Sequence, residues 1–336
     1  MTMAHFPKES ESFARQIELL RGSRVAVLGH RRPDGDCIGS QVALVRILNG
    51  QGIESFAVNA DPVPRTLRNF LGDTKILLPG DLPVGEMTSV TVDCADHGRI
   101  GDLVRERFSE VFLNIDHHVS NTLYGQTNIV LPEACATGEI LAGLFLDNEY
   151  PIDSVVAEAL YLGIATDTGQ FCYSGTTAGV FEICQKLCEY GAVPSRVAHE
   201  LYEREKPGRV QLLQRFLSTF RMEHESRVCI GFLTEKFYEE TGTQSEDSEN
   251  FVDYARSIEG IDVGCLLEER NGQLKGSFRA KESRYRVDKL ASRFSGGGHA
   301  CAAGFNLSRT VDDFYPELVA FVGDHLKEVD SGELEE

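Results

Sequence analysis

Val25-Ala-Val-Leu-Gly-His30-Arg-Arg-Pro-Asp34-Gly-Asp36-Cys-Ile-Gly-Ser40 is the stretch on which the rest of the chain is organised. An apolar, β-type run ends at His30. Pro33 and Gly35 then force a turn that carries two carboxylates two residues apart, and an apolar, helix-like stretch follows. Imidazole and carboxylates crowded onto one turn repel unless something positive sits among them, and a divalent metal is the usual reason to tolerate it. The same residues also suit a polar strand–helix loop in which an Asp caps the helix. These sixteen residues alone leave both readings open.

Working outward, Ile38–Leu48 is helical and stops at Asn49-Gly50, and Ile53–Val58 is the next strand. Strand, helix and strand over this length form a βαβ unit, which implies parallel pairing. Upstream, residues 6–21 read as an amphipathic helix with Phe13, Ile17 and Leu20 at helical spacing. Residues 60–88 are rich in Pro and Gly, with a short helix expected at Arg65–Leu71. Then Ser89–Asp93 is a short apolar strand ending on a carboxylate, and Val111-Phe-Leu-Asn-Ile-Asp116-His117-His118 repeats the design. In open α/β sheets the ligand crevice lies beyond the carboxyl ends of the strands, so His30, Asp93 and Asp116-His117-His118 are expected to converge. Helices at Ala134–Leu146 and Ser154–Ala165 lead to Asp167-Thr-Gly169. Asp167 is a plain turn residue when taken alone, and the natural final carboxylate beside the earlier set.

Composition narrows the class. The 336 residues suggest about two domains of ~150 residues each, and 42% hydrophobic content is enough to bury real cores. No apolar run approaches the ~18 residues of a membrane span, and Met1–Ser12 is polar and lacks the apolar core of a signal peptide, so a soluble, cytoplasmic protein is expected. Nine cysteines, an odd number without a Cys-x-x-Cys, suggest neither a disulfide framework nor a zinc knuckle. Cys184 and Cys188, one turn apart on an expected helix, read as core packing. The net charge of −19 argues against a long electrostatic groove for nucleic acid. It favours a small anionic substrate gripped by a local cluster of metal, Arg and His.

Further helices are expected at Thr176–Glu189, Val197–Glu203 and Pro207–Phe220, the last with an apolar stripe of Leu212, Leu213, Phe216 and Phe220. From Arg227 the pattern changes. Strands at Val228–Thr234, Gly264–Glu268 and Leu274–Ala280, with helices near Asn250–Ile258, Val287–Phe294 and Val311–Leu326, describe a smaller domain. The acidic Ser245–Asn250 reads as a solvated loop. The expected class is α/β, a larger N-terminal domain with a mainly parallel sheet flanked by helices, plus a smaller α/β C-terminal domain. Its boundaries are 1–195 for the larger domain, 196–225 for a helical connector, 226–330 for the smaller domain and 331–336 for an acidic tail. Within the second domain, Gly296-Gly297-Gly298-His299 lets backbone N–H groups approach an anion, and Arg279 on the strand Gly276-Ser277-Phe278-Arg279 can grip a phosphate bidentately. A flexible turn and a surface Arg are the plainer alternatives.

These motifs resemble the DHH phosphoesterase superfamily, named for the triplet seen here as Asp116-His117-His118. The resemblance covers nearly the whole chain: His30-Arg-Arg-Pro-Asp34-Gly-Asp36, the strand-ending Asp93, the triplet with Asn121 after it, and Asp167-Thr168-Gly169. Gly296–His299 followed by Ala302-Ala303-Gly304 resembles the DHH-associated substrate domain. Length and layout are most similar to the NrnA-type branch, oligoribonucleases that also dephosphorylate 3′-phosphoadenosine 5′-phosphate.

The resemblance implies a metal-binding catalytic role for 1–195 and a substrate-binding role for 226–330. It also implies a site of two divalent cations, with manganese as the expected ion. His30, Asp34 and Asp93 would hold one, and Asp36, Asp93, His117 and Asp167 the other, with Asp93 bridging. Such a pair acidifies a water for in-line attack at phosphorus. Asp93, His118 and Asp116 would be the catalytic set, Asp116 orienting the histidines and His118 also touching substrate. Arg279, Ser277, Gly297, Gly298 and His299 would contact phosphate and nucleotide, delivered by a second domain that opens and closes on short substrates. Two departures bear on substrate choice: Ser295 takes the first place of a glycine run that is commonly four long, and Ala300 stands where a basic residue often follows the histidine. The partner expected is a short RNA or a small nucleotide, with neither long duplex nucleic acid nor membrane, and the resemblance leaves room for a homodimer. Competing readings are hydrolysis of cyclic or linear signalling dinucleotides, hydrolysis of pyrophosphate or polyphosphate, and a non-catalytic nucleotide sensor. The last is disfavoured because every ligand of the motif is present. His5, His97, His199, His224 and His325 lack telling partners and read as structural or surface residues.

Overall fold

A computed structural model describes residues 4–332. The chain divides into two compact units, Met1–Arg204 and Glu205–Glu336. The first opens with α1 (Pro7–Leu19), and continues through β1 (Val25–Leu28), α2 (Gly35–Gly50), β2 (Ser55–Val58), β3 (Ile76–Leu77), β4 (Thr88–Val92), α3 (Asp102–Arg107), β5 (Val111–Asp116) and β6 (Gly125–Val130). It closes with α4 (Thr137–Asp147), α5 (Ser154–Asp167), α6 (Ala178–Glu189) and α7 (Pro194–Tyr202). Its six strands run in the order β3-β2-β1-β4-β5-β6, every pairing parallel. The order reverses between β1 and β4, so the loops after those two strands diverge and leave a crevice.

Short β-branched strands buried on both faces explain the parallel sheet, since all four residues of β1 are buried. Helix α2 is buried almost all round and packs against α5. Two glycines allow this approach. A Cβ at Gly39 would lie 2.2 Å from the Ala159 carbonyl oxygen, and one at Gly163 would lie 2.5 Å from Asp36 Oδ1. On the outer layer Phe13 is fully buried against Phe145 and Tyr150, with ring centroids 5.9 and 6.0 Å away. Burial of such a side chain contributes about 1.5–3 kcal/mol.

The second unit comprises α8 (Pro207–Ser218), β7 (Arg221–Glu223), β8 (Val228–Leu233), α9 (Glu235–Thr241), α10 (Phe251–Arg256), β9 (Val263–Arg270), β10 (Gln273–Ala280), α11 (Val287–Ser292), β11 (Gly297–His299), β12 (Ala302–Leu307) and α12 (Val311–Ser331). Its sheet order is β11-β12-β10-β9-β8-β7, antiparallel except for the β8–β9 pair. Helix α7 thus belongs to the first unit, and α8 and β7 to the second. Of the acidic tail, residues 333–336 lie outside the described residues, as do residues 1–3 of the polar N-terminal segment. Among the described residues no helix is long and apolar enough to cross a membrane.

Three local expectations are corrected. The acidic Ser245–Asn250 is not a solvated loop: it begins with a 3₁₀ turn in which Asp247 and Ser248 are buried. Asp247 is held by Lys206 at 3.0 Å and by the Gln244 backbone N–H at 2.9 Å, while the Ser248 hydroxyl bonds the buried Glu268 carboxylate. Cys188 is exposed, so only Cys184 of that pair packs into the core. The plainer alternative of a flexible turn does not hold for Gly297 and Gly298, which join His299 in the short edge strand β11.

Candidate metal centre

The chemistry of the first unit collects at the carboxyl ends of β1, β4 and β5. His30 follows β1 and is only 3% exposed. Its Nδ1 lies 2.8 Å from the Arg31 carbonyl oxygen, which makes Nδ1 the protonated nitrogen and turns Nε2 inward. That Nε2 stands 3.4 Å from Asp93 Oδ2 and 3.6 Å from Asp34 Oδ1. Asp34 is the N-cap of α2, its carboxylate accepting the Cys37 backbone N–H, so the capping role and the site role belong to one residue.

Asp93, the first residue after β4, takes a left-handed backbone with φ of 55°. Asp and Asn are the non-glycine residues that tolerate this best. The turn presents the two carboxylate oxygens to opposite sides. Oδ2 faces His30, and Oδ1 lies 3.7 Å from His117 Nε2 and accepts from the Thr137 hydroxyl at 3.3 Å. His117 Nε2 is also 3.2 Å from Asp167 Oδ2 and 4.0 Å from Asp36 Oδ2. Asp167 is the last residue of α5. Asp36 is fully buried, where the N-terminus of α4 offers it the backbone N–H groups of Thr137 at 2.7 Å and Gly138 at 2.8 Å. His118 Nδ1 donates to Asp116 Oδ1 at 2.7 Å, and Asn121 donates to the other Asp116 oxygen at 2.6 Å.

The electrostatics of the cluster are strained in one direction. Burial opposes the charged form of His117, but the neighbouring carboxylates of Asp167, Asp36 and Asp93 outweigh it and raise its pKa to about 10. His30 is likewise raised against its burial by Cys37, Asp34 and Asp93. Burial and then the charges of Asp93 and Asp167 push Asp36 well above the usual carboxyl range, and burial followed by Asp93 and Asp34 raises Asp167 although His117 opposes. Imidazoles drawn toward imidazolium and carboxyls drawn toward the neutral acid mark an excess of negative charge, which divalent cations answer. The donor set fits such ions on a second ground. Nε2 of His30 and Nε2 of His117 are buried with no hydrogen-bond partner, and both point into the carboxylates. Three overlapping groups have ligand atoms within 4.8 Å of one another: His30–Cys37–Asp93, Asp93–His117–His118 and Asp36–His117–Asp167.

The six residues read as ligands from sequence therefore meet in one place, with Asp116 and His118 against them. Sequence reasoning passed over Thr137 and Gly138, whose contribution is main-chain N–H at a helix start. It also passed over Arg99, whose Nη1 is 3.5 Å from His118 Nε2, and Cys37. In the second unit the register aligns Arg279 with Ala302 and Ala302 with His299, and aligns Ser277 with Gly304 and Gly304 with Gly297. Arg279, Ser277, His299 and Gly297 thus share one sheet face, floored by Ala302 and Gly304, while Phe278 and Ala280 turn to the core on the other. Gly298 points away from that face. The five remaining histidines stay outside both groups, and His325 is fully buried with Nε2 2.6 Å from the Tyr285 carbonyl oxygen.

The family model for the DHH family, N-terminal domain, matches residues 24–164, and that for the DHHA1 domain matches residues 226–328. The chain is 32% identical over 306 residues to the bifunctional oligoribonuclease and PAP phosphatase NrnA of Thermus thermophilus, covering 90% of each chain. It is 28% identical over 284 residues to the protein of the same name from Bacillus subtilis, covering 83% of this chain and 87% of that one. The crystal structure of an exopolyphosphatase-related protein from Bacteroides fragilis superposes with a TM-score of 0.86 at 25% identity, covering 100% of both chains. With both domain models in sequence order and a relative of this identity spanning nearly its full length, the chain belongs to the DHH family and is a phosphoesterase, a hydrolase.

Proposed function

We propose that this protein is a divalent-metal-dependent phosphodiesterase that releases nucleoside 5′-monophosphates from very short RNA and also dephosphorylates 3′-phosphoadenosine 5′-phosphate. The observation that carries the reading is the pair of Asp93 oxygens turned to opposite sides, one toward His30 and one toward His117. In this reading His30, Asp34 and Asp93 hold one ion, Asp36, Asp93, His117 and Asp167 hold the other, and manganese is the ion. Two divalent cations bound there supply Lewis acidity for a water nucleophile and countercharge for the phosphoryl oxygens.

The chain's own groups do the rest. Asp116, fixed by Asn121, holds the His118 ring by Nδ1. In this reading the His118 ring faces a phosphoryl oxygen, and Arg99 beside it adds positive charge where negative charge grows. Thr137 and Gly138 keep Asp36 immobile, so the ligand geometry is set by the fold. In the second unit Arg279 and His299 receive a substrate phosphate over the small floor of Ala302 and Gly304, with Ser277 and Gly297 on the same face and Gly298 offering only its main chain. Relatives named for both activities support the substrate choice. A net charge of −19 favours short substrates over a long polyanion.

The test is product analysis with Mn²⁺ on labelled di- to pentanucleotide RNA, a long single strand, 3′-phosphoadenosine 5′-phosphate, a cyclic dinucleotide and pyrophosphate. Fast mononucleotide release from the shortest RNAs, with the long strand nearly untouched, is expected. Best turnover of pyrophosphate or the cyclic dinucleotide would overturn the substrate assignment and leave the metal site standing.

A further inference from the structure

We propose that the Tyr173 ring is the stacking platform for the nucleobase of the nucleotide whose phosphate sits at the metal centre. The inference rests on the reading that this centre hydrolyses nucleotide phosphoesters, and deepens it to how the base is held.

Tyr173 lies on the loop between α5 and α6, and the loop folds it back toward Asp167. The Thr168 carbonyl oxygen accepts the backbone N–H groups of both Cys172 and Tyr173, each at 3.0 Å. A Cβ added at Gly169 would lie 2.4 Å from Tyr173 Cζ and 2.6 Å from both Cε atoms, with the hydroxyl oxygen not among the three nearest atoms. Such spacing requires approach to the face of the ring rather than to its hydroxyl end. One face therefore rests on Gly169, whose φ of 55° and missing Cβ both make room for it. Gly169 is two residues beyond Asp167, at most about 7 Å of chain, so the ring is seated beside the centre. It is nevertheless 60% exposed, which leaves the outer face open. Tyr202 stands near it: burial first, and then the Tyr173 phenol, raises the Tyr202 pKa.

The loop holds this ring without burying it. Gln170 and Phe171 take left-handed backbones, with φ of 59° and 65°, where such side chains rarely sit. The buried Thr168 fixes them, its hydroxyl donating to the Ile164 carbonyl oxygen at 2.6 Å and accepting the Phe171 backbone N–H at 3.1 Å. Phe171 takes the inward place, with its ring centroid 5.9 Å from that of Tyr161 and 5.4 Å from that of Phe181. Phe171 thus supplies the packing, and Tyr173 is left fixed with a π face open at the rim of a phosphoester site. A nucleobase has a π face of its own, and stacking on an aromatic side chain tightens binding about tenfold or more per base with little regard to base identity. Pyrophosphate and polyphosphate carry no group that uses such a surface.

The experiment uses the full-length protein with Mn²⁺ and two variants, each first checked for cooperative melting. Tyr173→Leu keeps a cover over Gly169 but removes the π face, and Tyr173→Phe keeps both. Binding is read from the fluorescence of 2-aminopurine riboside 5′-monophosphate, a product of the proposed reaction. Wild type and Tyr173→Phe are expected to quench it, and Tyr173→Leu to bind it about tenfold more weakly with little quenching. Turnover of 3′-phosphoadenosine 5′-phosphate should show a KM about tenfold higher in Tyr173→Leu with kcat kept, and a wild-type KM in Tyr173→Phe. The base-free ribose 3,5-bisphosphate should be handled alike by all three proteins. Wild-type quenching in Tyr173→Leu, or an equal loss on the base-free substrate, would overturn the proposal. If wild type turns over pyrophosphate best yet quenches the 2-aminopurine nucleotide through Tyr173, the substrate assignment falls and the platform stands. If wild type and Tyr173→Leu turn over short RNA equally well, the platform falls and that assignment stands.

Discussion

Substituting Asp93 separates what the centre needs for binding from what the fold needs for geometry. At φ of 55° the backbone there is left-handed, so Asp93→Ala adds roughly 1 kcal/mol of strain that Asp93→Asn avoids. For a unit of about two hundred residues that difference is about 2–4 °C in melting temperature. Asn also keeps an oxygen for the Thr137 hydroxyl and takes one negative charge out of a cluster in which Asp93 raises the pKa of both Asp36 and Asp167. The metal-free Asn variant should therefore melt at or above wild type, and the Ala variant below the Asn variant. Metal reverses the order. An ion at one hundred times its dissociation constant stabilises by about 2.7 kcal/mol, roughly 5–10 °C here, and that gain should vanish in both variants. Loss of Lewis acidity worth about 4 kcal/mol lowers turnover about a thousandfold. The assay is scanning calorimetry with Mn²⁺ and with chelator, beside turnover on a dinucleotide. An Asn variant that keeps the Mn²⁺-induced gain, or a tenth of wild-type turnover, would refute the assignment of Asp93 as the shared ligand.

Other substitutions probe the supports. Gly163→Ala drives a methyl to 2.5 Å from Asp36 Oδ1. It should cost about 1–3 kcal/mol in denaturant unfolding and weaken Mn²⁺ binding, and unchanged dialysis isotherms would count against the helix contact as a ligand support. Arg279→Ala should raise KM about tenfold with kcat preserved, as expected for a contact made equally in ground and transition states; a fall in kcat alone would assign it to the chemistry instead. Glu268→Ala strips a buried carboxylate from Tyr238, Ser248, Arg270 and Lys275, and should cost about 3 kcal/mol in the unfolding of the second unit by urea. Burial lowers the pKa of His325. A depressed folded pKa supplies stability that is present above the ordinary value of 6.5 and lost as pH falls through the folded value. The second unit should thus weaken in acid, and His325→Gln should flatten that loss in melts recorded from pH 7 downward.

Legibility in the sequence followed side-chain chemistry. His30, Asp93 and Asp116–His118 could be placed together because parallel strands bring their carboxyl ends to one edge, so three strands ending in metal-competent groups imply one site. Asp36 was legible as a ligand but its anchoring was not, for its partners are main-chain N–H groups 101 and 102 residues further along, and no residue type announces them. Strand β6 went unread because Gly125-Gln-Thr-Asn-Ile-Val130 is polar and forms a half-exposed sheet edge. Strand β11 went unread because a three-residue segment with two glycines shows no alternation, and β12 with it. Cys37 was counted only among nine scattered cysteines. Spacing in sequence could not show that its sulfur points at His30.

The four aspartates gathered around His30 and His117 differ sharply in contact with water. Asp36 and Asp93 have side chains 0% and 2% exposed, while those of Asp34 and Asp167 are 57% and 25% exposed. The centre thus has a dry floor and a wet rim, and an ion can come and go only past the rim. Asp34, the most solvated of the four, should be the first carboxylate to let go, so a chelator should draw the two ions out in two kinetic phases. The faster phase would empty the His30 end, and the phase governed by Asp36, pinned to the start of α4, would lag behind it.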